Sequence, residues 1–161
     1  MPKVLLGFMG AGKTTIGSLL DPAFADMDAL LVQRLGMPIS DYFARYGEDS
    51  FRQQELLLLH ELLNQESSVI STGGGIVLKP ENRELLKKNP CNIYLQIDFE
   101  RLYQRLAADP ATKRPLFLNK KPEEFRALYE QRLPLYEEVA THVIDVADKT
   151  PEEIVEIIRC L

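Results

Sequence analysis

The chain has 161 residues, of which 45% are hydrophobic and 27% charged, and its formal net charge is −5. These values are typical of one globular domain with a sizeable core, and they argue against disorder. The acidic balance argues against a broad nucleic-acid or membrane-surface interface, although a small cationic pocket is compatible with it.

No stretch approaches the roughly 20 apolar residues that cross a bilayer, and the N-terminus has no signal-peptide layout. We therefore expect a cytoplasmic monomer with no nucleic-acid or membrane partner. The two cysteines, Cys91 and Cys160, lack metal or redox spacing. They indicate a reduced interior, and we expect both to be small buried apolar residues.

In chain order, the first half begins with a buried strand over residues 3–8 and a loop from Gly10 that leads into a helix ending near Leu20. A very short strand is predicted within residues 23–28. Three helices follow, the first two ended by glycine, over residues 28–36, 39–47 and 48–66.

The second half alternates in the same way. Its strands are predicted at residues 67–72, 91–97 and 142–146, and its helices at 80–89, 98–108, 123–140 and 150–160. Pro80 opens a helix in its first turn, and Pro134 predicts a kink. Thr150 and Glu153 form a capping box around Pro151.

Alternating apolar strands and helices predict an α/β fold, in which helices cover both faces of a parallel sheet. Two segments depart from this alternation. The first is a helix-rich insertion from about 28 to 65, and the second is a basic stretch from 109 to 122. A loop of that length is typical of a functional lid or a disordered segment.

The stretch GFMGAGKT spells G-x-x-x-x-G-K-[ST] between a predicted strand and a predicted helix. Gly7 and Gly12 allow backbone N–H groups to turn toward phosphate oxygens at a helix N-terminus. Lys13 would reach the β- and γ-phosphates, and the Thr14 hydroxyl would face Mg²⁺. Nucleotide binding is therefore predicted, but this motif does not separate a kinase from an NTPase switch or a nucleotide sensor.

The usual acidic partner of Mg²⁺ is absent from the end of the strand at 67–72, which leads into glycine instead. Asp26 and Asp28 are the nearest candidates, because carboxylates two apart on an extended segment point to the same side. One could serve the metal through water and the other an acceptor hydroxyl. The alternative is a solvated helix N-terminus, where Asp is favoured anyway.

Three arginines are candidates for anion binding, although each has an ordinary explanation. Arg52 has glutamates at helical spacing, Arg132 precedes a helix-breaking proline, and Arg114 lies in the basic stretch. Two arginines in one pocket would suit an anionic small-molecule acceptor, and a basic loop could close over the γ-phosphate. His60 and His142 are interpreted as structural, since neither neighbours a plausible metal set.

A second glycine run, STGGG over residues 71–75, follows another apolar strand but contains no lysine. Together with GFMGAGKTTIG, DMD, GEDSFRQQE, KRPLF and QRLPLY, in this order along the chain, it resembles shikimate kinase. The resemblance covers nearly the whole chain. It implies a three-layer sandwich of the nucleoside-monophosphate-kinase type, with a five-stranded parallel sheet in the order 2-3-1-4-5. It also implies one kinase domain over residues 1–161, with a substrate-binding subdomain at about 28–65 and a lid at about 109–122.

The implied reaction is transfer of the ATP γ-phosphoryl group to the 3-hydroxyl of shikimate, with Mg²⁺. The implied ATP site contains Gly10, Ala11, Gly12, Lys13, Thr14, Thr15, Arg105 and Arg114, and the implied metal site contains Thr14 and Asp26. Shikimate would be held by Asp28, Arg52, Gly73, Gly74, Gly75 and Arg132. Lys13, Asp28 and Arg114 would be catalytic, with Asp28 proposed to activate the attacking hydroxyl.

The chain departs from this pattern between Gly17 and Asp26, where the family stretch is roughly one helical turn longer. Asp21 and Pro22 are expected to end the first helix early and to give a tighter connection with catalysis retained. Two rival functions are less well supported. The glycine triplet argues against a kinase of the same fold with another acceptor, such as gluconate or a nucleotide, and the presence of Lys13, Asp28 and Arg132 argues against a silent ATP-binding module.

Overall fold

A computed structural model describes residues 1–108 and 120–161 of the chain. Its sheet contains five parallel strands in the order β2-β3-β1-β4-β5, as predicted. The strands are β1 at Lys3–Leu6, β2 at Ala25–Asp26, β3 at Val69–Ser71, β4 at Asn92–Gln96 and β5 at His142–Asp145. The three central strands are almost entirely buried, which explains their near-continuous apolar sequences.

The helices of the described residues lie where the sequence predicted them, to within a few residues. They are α1 at Lys13–Leu20, α2 at Met27–Leu35, α3 at Ile39–Tyr46, α4 at Glu48–Asn64, α5 at Pro80–Lys87, α6 at Phe99–Ala108, α7 at Pro122–Val139 and α8 at Pro151–Arg159. Residues 109–119, which contain most of the predicted lid, lie outside the described residues.

Local signals explain several of these boundaries. Gly36 ends α2 in the left-handed region with a φ of 70°, and the Gly47 N–H bonds back to α3. The predicted capping box of Thr150 and Glu153 is present at the start of α8. Helix α7 continues through Pro134 to Val139, so the kink predicted there stays a prediction.

The short connection between α1 and β2 is built around Asp21, which ends α1 as expected. The Asp21 carboxylate accepts hydrogen bonds from the Ala23 backbone N–H and from the Ser68 hydroxyl. Phe24 packs against α1 at Gly17, where an added Cβ would lie 2.6 Å from the Phe24 ring. The Asp21 hydrogen bonds and the packing of Phe24 on Gly17 therefore fix the short connection before the chain enters β2.

The two cysteines are not both buried, which corrects the expectation from the sequence. Cys91 is partly buried and Cys160 is exposed, and both are free thiols. Cys160 is the C-cap residue of α8 and follows Ile158, the last buried residue of that helix. Among the described residues, no helix is long and apolar enough to span a membrane.

Candidate active site

The first glycine loop connects β1 to α1 at the carboxyl edge of the sheet. Gly10 and Gly12 have φ values of 83° and 102°, in the left-handed region that side chains disfavour. Gly7 has no room for a Cβ, which would lie 2.8 Å from the Leu95 carbonyl oxygen. The buried Lys13 side chain donates to the carbonyl oxygens of Gly7 and Phe8. The loop therefore has the strand–glycine loop–helix form that binds phosphates.

A pocket of about 360 Å³ opens above this loop. It gathers predicted ATP, metal and acceptor residues on one surface. Its lining is Met9, Gly10, Gly12, Lys13, Thr14, Thr15, Asp26, Asp28, Ser71, Thr72, Gly74, Arg105 and Leu106. Ala11 is buried behind the lining, and its N–H donates to the Phe8 carbonyl. Arg105 lies at the rim, where its guanidinium is 3.5 Å from the Gly10 carbonyl oxygen.

The two aspartates face this pocket, but not for the reason that the sequence suggested. Asp26 ends β2, whereas Asp28 lies in the first turn of α2, so they are not two apart on one extended segment. Asp26 pairs in register with Ser71 on β3, and it also caps α2 by accepting from the Ala29 N–H at 3.4 Å. Asp26 therefore caps the helix, as the alternative interpretation expected, and it also lines the pocket, while its role toward the metal stays a prediction.

The glycine triplet forms a turn directly after β3, and each glycine contacts a different predicted acceptor residue. An added Cβ would lie 2.7 Å from Asp28 Oδ1 at Gly73, and 2.6 Å from Arg52 Cζ at Gly75. At Gly74 it would lie 3.4 Å from the Met9 backbone nitrogen and 3.5 Å from Arg132 Nη1. None of the three has a left-handed φ. Small size, and not an unusual backbone conformation, explains glycine at 73 and 75, whereas Gly74 has room for a Cβ in ordinary contact.

Arg52 lies in the second turn of α4 and is largely buried. Its guanidinium pairs with Glu55 at 3.0 Å and, more loosely, with Glu48 at 3.4 Å. It also packs 5.8 Å from the ring centre of Phe43 and 5.2 Å from that of Phe51. These contacts fix a planar cation against the glycine turn.

Arg132 reaches the same turn from α7, and its side chain is only 4% exposed. Its guanidinium lies 5.4 Å from the ring centre of Phe8. Burial lowers its pKa, an effect that the nearby Tyr136 hydroxyl partly offsets. Within residues 1–108 and 120–161, Arg132 Nε has no hydrogen-bond partner. A buried N–H without a partner is costly, so this arginine has unsatisfied hydrogen-bonding capacity beside the glycine turn.

Glu55 and Tyr136 complete the site, and the sequence interpretation gave neither of them a role. Glu55 is 1% exposed; burial raises its pKa, which Arg52 partly opposes. The Tyr136 hydroxyl donates to the Gly74 carbonyl oxygen. A signal was available for both, because Glu55 follows Arg52 by three residues and Tyr136 follows Arg132 by four. Such pairs are neighbours on a helix surface.

The structure therefore brings Arg52 and Arg132 together at adjacent glycines, which the sequence alone did not establish. Gly74 adjoins both parts of the site, since an added Cβ there would lie near the Met9 backbone of the phosphate loop and near Arg132. Arg114 lies outside the described residues. His60 and His142 belong to no group of three or more potential metal ligands among the described residues.

Sheet order, phosphate loop and a neighbouring cationic pocket together define a P-loop kinase of the nucleoside-monophosphate-kinase type. A family model described as shikimate kinase matches residues 9–161. The chain belongs to the shikimate kinase family.

Individual relatives give the same result. A shikimate kinase of Streptococcus gordonii is 60% identical over the full length of both chains. One of Streptococcus thermophilus is 47% identical, again over the full length of both. The solved shikimate kinase of Acinetobacter baumannii in complex with shikimate has a TM-score of 0.87 and 32% identity, covering 99% of this chain and 91% of the other.

A gluconokinase from Sinorhizobium meliloti also matches in structure, with a TM-score of 0.64, covering 98% of this chain and 88% of the other. Its sequence identity is only 19%, so this likeness concerns the fold alone.

Proposed function

We propose that the protein transfers the γ-phosphoryl group of ATP to the 3-hydroxyl of shikimate, giving shikimate 3-phosphate and ADP in aromatic amino acid biosynthesis. One observation carries the proposal. The three glycines after β3 contact Asp28, Arg132 and Arg52 in turn, and Gly74 also borders the phosphate loop at Met9. An acidic and two basic side chains thus converge where an acceptor would meet the terminal phosphate.

The acceptor roles follow from the chemistry of these side chains. Shikimate carries one carboxylate, which two guanidinium groups on adjacent glycines would bind with directional hydrogen bonds. Asp28 is exposed on the first turn of α2 and faces the pocket, so its carboxylate would orient the attacking hydroxyl and accept its proton. The side-chain-free turn would let a small polyhydroxylated acid approach the backbone closely.

The ATP roles follow from the first glycine loop. Backbone N–H groups of residues 10–15 and the N-terminus of α1 would hold the phosphates, with Lys13 neutralising charge that develops during transfer. Lys13 donates to the Gly7 and Phe8 carbonyls here, so binding a nucleotide would require its ammonium group to exchange those partners. Arg105 at the rim is proposed to pack on adenine.

The residues present fit Mg²⁺ bound through water and phosphate oxygens. Thr14 and Asp26 line the pocket beside Lys13, and no group of three or more His, Cys, Asp or Glu forms a closed cage within the described parts of the chain. Mg²⁺ commonly keeps several waters and uses one or two protein ligands plus phosphates. When bound, it would neutralise phosphate charge, with the Thr14 hydroxyl offered to the ion and Asp26 serving it through water.

An acceptor-binding subdomain and a lid are also part of the proposal. Helices α2, α3 and α4 pack on one another and supply Asp28 and Arg52, which supports an acceptor-binding subdomain over about 28–65. Residues 109–122 are proposed as a lid that excludes water, with Arg114 approaching the phosphates. A monomeric state and a cytoplasmic location stay predictions.

An ADP-release assay with several acceptors tests the proposal. Shikimate, quinate, gluconate and nucleoside monophosphates would be compared at equal concentration with ATP and Mg²⁺, against a no-acceptor control. We expect shikimate to give the highest kcat/KM. A higher value with gluconate or a nucleotide would support the other kinases of this fold, and release with none would support a silent module.

A further inference from the structure

Helix α7 contributes a second side chain to the acceptor site besides Arg132. Tyr136 lies one helical turn after Arg132 and is almost completely buried, with its ring stacked on Tyr94 at a centroid distance of 5.1 Å. The stack leaves its hydroxyl at the glycine turn, where it donates to the Gly74 carbonyl oxygen. The same hydroxyl interacts with the Arg132 side chain. One phenol therefore contacts both the turn and the arginine.

Gly74 is the residue through which this contact would act. It adjoins both the Met9 backbone of the phosphate loop and the Arg132 guanidinium, each at van der Waals distance from an added Cβ. A shift of Gly74 would disturb its contacts with both groups. Within the described residues Arg132 Nε lacks a partner, and the guanidinium packs on the Phe8 ring.

We propose that Tyr136 is a positioning residue for phosphoryl transfer, which fixes Gly74 and Arg132 so that the acceptor carboxylate meets a correctly oriented guanidinium. This inference rests on the proposed function, because it assumes an acceptor that carries a carboxylate. Tyr136 acts as a hydrogen-bond donor to a carbonyl throughout and takes no part in proton transfer.

Tyr136→Phe tests the proposal, since it removes the hydroxyl and keeps the ring that stacks on Tyr94. The matched control is Tyr129→Phe. Tyr129 lies seven residues earlier on the same face of α7, is also buried, and donates its hydroxyl to the Ile97 carbonyl at 2.6 Å. Both variants lose one buried hydroxyl-to-carbonyl hydrogen bond, but only Tyr136 contacts the glycine turn.

The expected result is a split between the two substrates. Losing one such bond changes an equilibrium by about five- to tenfold, so we expect KM for shikimate to rise by about that factor in Tyr136→Phe. KM for ATP should change less than about twofold, and Tyr129→Phe should leave KM for shikimate unchanged. In an Arg132→Lys background, Tyr136→Phe should have less than about half of its effect, because coupled residues are non-additive.

Four results would overturn the proposal. They are an unchanged KM for shikimate, equal increases in KM for both substrates, full additivity with Arg132→Lys, and loss of the melting transition in Tyr136→Phe but not in Tyr129→Phe. The last would assign the hydroxyl to stability alone. Failure of the proposed function would look different, because the unmodified protein would then release no ADP with shikimate.

Discussion

Gly73 and Asp28 are packed so closely that a Cβ on Gly73 would lie 2.7 Å from Asp28 Oδ1. Gly73→Ala must therefore displace the carboxylate that is proposed to orient the acceptor hydroxyl. We expect kcat to fall at least about a hundredfold, since misplacement by about an ångström has that effect on positioned groups. Steady-state kinetics measures this, and a kcat within twofold of the original would contradict the contact's importance.

Substitution at the other two glycines should follow the space available at each. Gly75→Ala would place a Cβ 2.6 Å from Arg52 Cζ, so we expect a severe loss of shikimate affinity. Gly74→Ala meets nothing closer than 3.4 Å and should be the mildest of the three changes. Calorimetric titration with shikimate gives the ranking directly. Equal losses at Gly74 and Gly75 would show that backbone access, and not space for Arg52, decides affinity.

Asp28→Asn should separate turnover from nucleotide binding. A positioned general base contributes about 10²–10⁴-fold, so we expect kcat to fall by at least about a hundredfold. The dissociation constant for ATP should stay nearly unchanged. The matched control is Asp49→Asn on the exposed first turn of α4. Unchanged ADP release in Asp28→Asn would exclude the proposed role of this carboxylate.

Arg52→Lys retains the positive charge but removes the planar group that pairs with Glu55 and packs on Phe51. We expect KM for shikimate to rise by about ten- to a hundredfold, because a lysine cannot make the same paired hydrogen bonds. Arg34→Lys, at an exposed ion pair with Glu61, is the control and should have no effect on KM. Similar KM values for both variants would mean that charge alone is sufficient at Arg52.

Glu55 and Glu61 should affect the pH dependence of stability with opposite signs. Burial raises the pKa of Glu55, so the folded state binds that proton more tightly than the unfolded state. Its contribution is present below the ordinary glutamate pKa, about 4.3, and is lost as pH rises through the raised value. Arg34 lowers the pKa of Glu61, whose contribution is present above about 4.3 and is lost as pH falls through the lowered value.

Urea unfolding between about pH 3 and 8 measures this difference, again spanning the ordinary glutamate pKa of about 4.3. The free energy of unfolding of the original chain, minus that of Glu55→Gln, should decline with rising pH. The same difference for Glu61→Gln should increase. A difference for Glu55 that rises with pH would show that its pairing with Arg52 outweighs the cost of burying its charge.

The sequence predicted the parts of the fold that depend on local signals. Strand and helix positions followed apolar patterns, and Gly36, Gly47 and Thr150 marked helix ends correctly. Strand order could not be predicted from local signals, because pairing between distant segments leaves none. Only the family resemblance supplied it. Exposure of Cys160 was missed, since residue type does not tell on which side of a final helical turn a side chain lies.

The site was predicted as a set of residues but not as an arrangement. Asp28 was placed on an extended segment, whereas β2 ends at Asp26 and the helix has already begun. The glycine triplet was assigned to the acceptor, but its contacts with Asp28, Arg132 and Arg52 depend on folding. Tyr136 contacts Gly74, which is distant in sequence, and the helical spacing of Glu55 to Arg52 and of Tyr136 to Arg132 does not by itself separate such residues from ordinary surface pairs.

The position of the phosphate on the product tests the central claim most directly. Shikimate, ATP and Mg²⁺ would be incubated with the protein, and the product analysed by phosphorus–proton correlation NMR. Phosphorus coupled to the proton on carbon 3 of shikimate is the result that we predict. Phosphate on another hydroxyl, or inorganic phosphate as the sole new product, would contradict the proposed arrangement of Asp28, Arg52 and Arg132 around the acceptor.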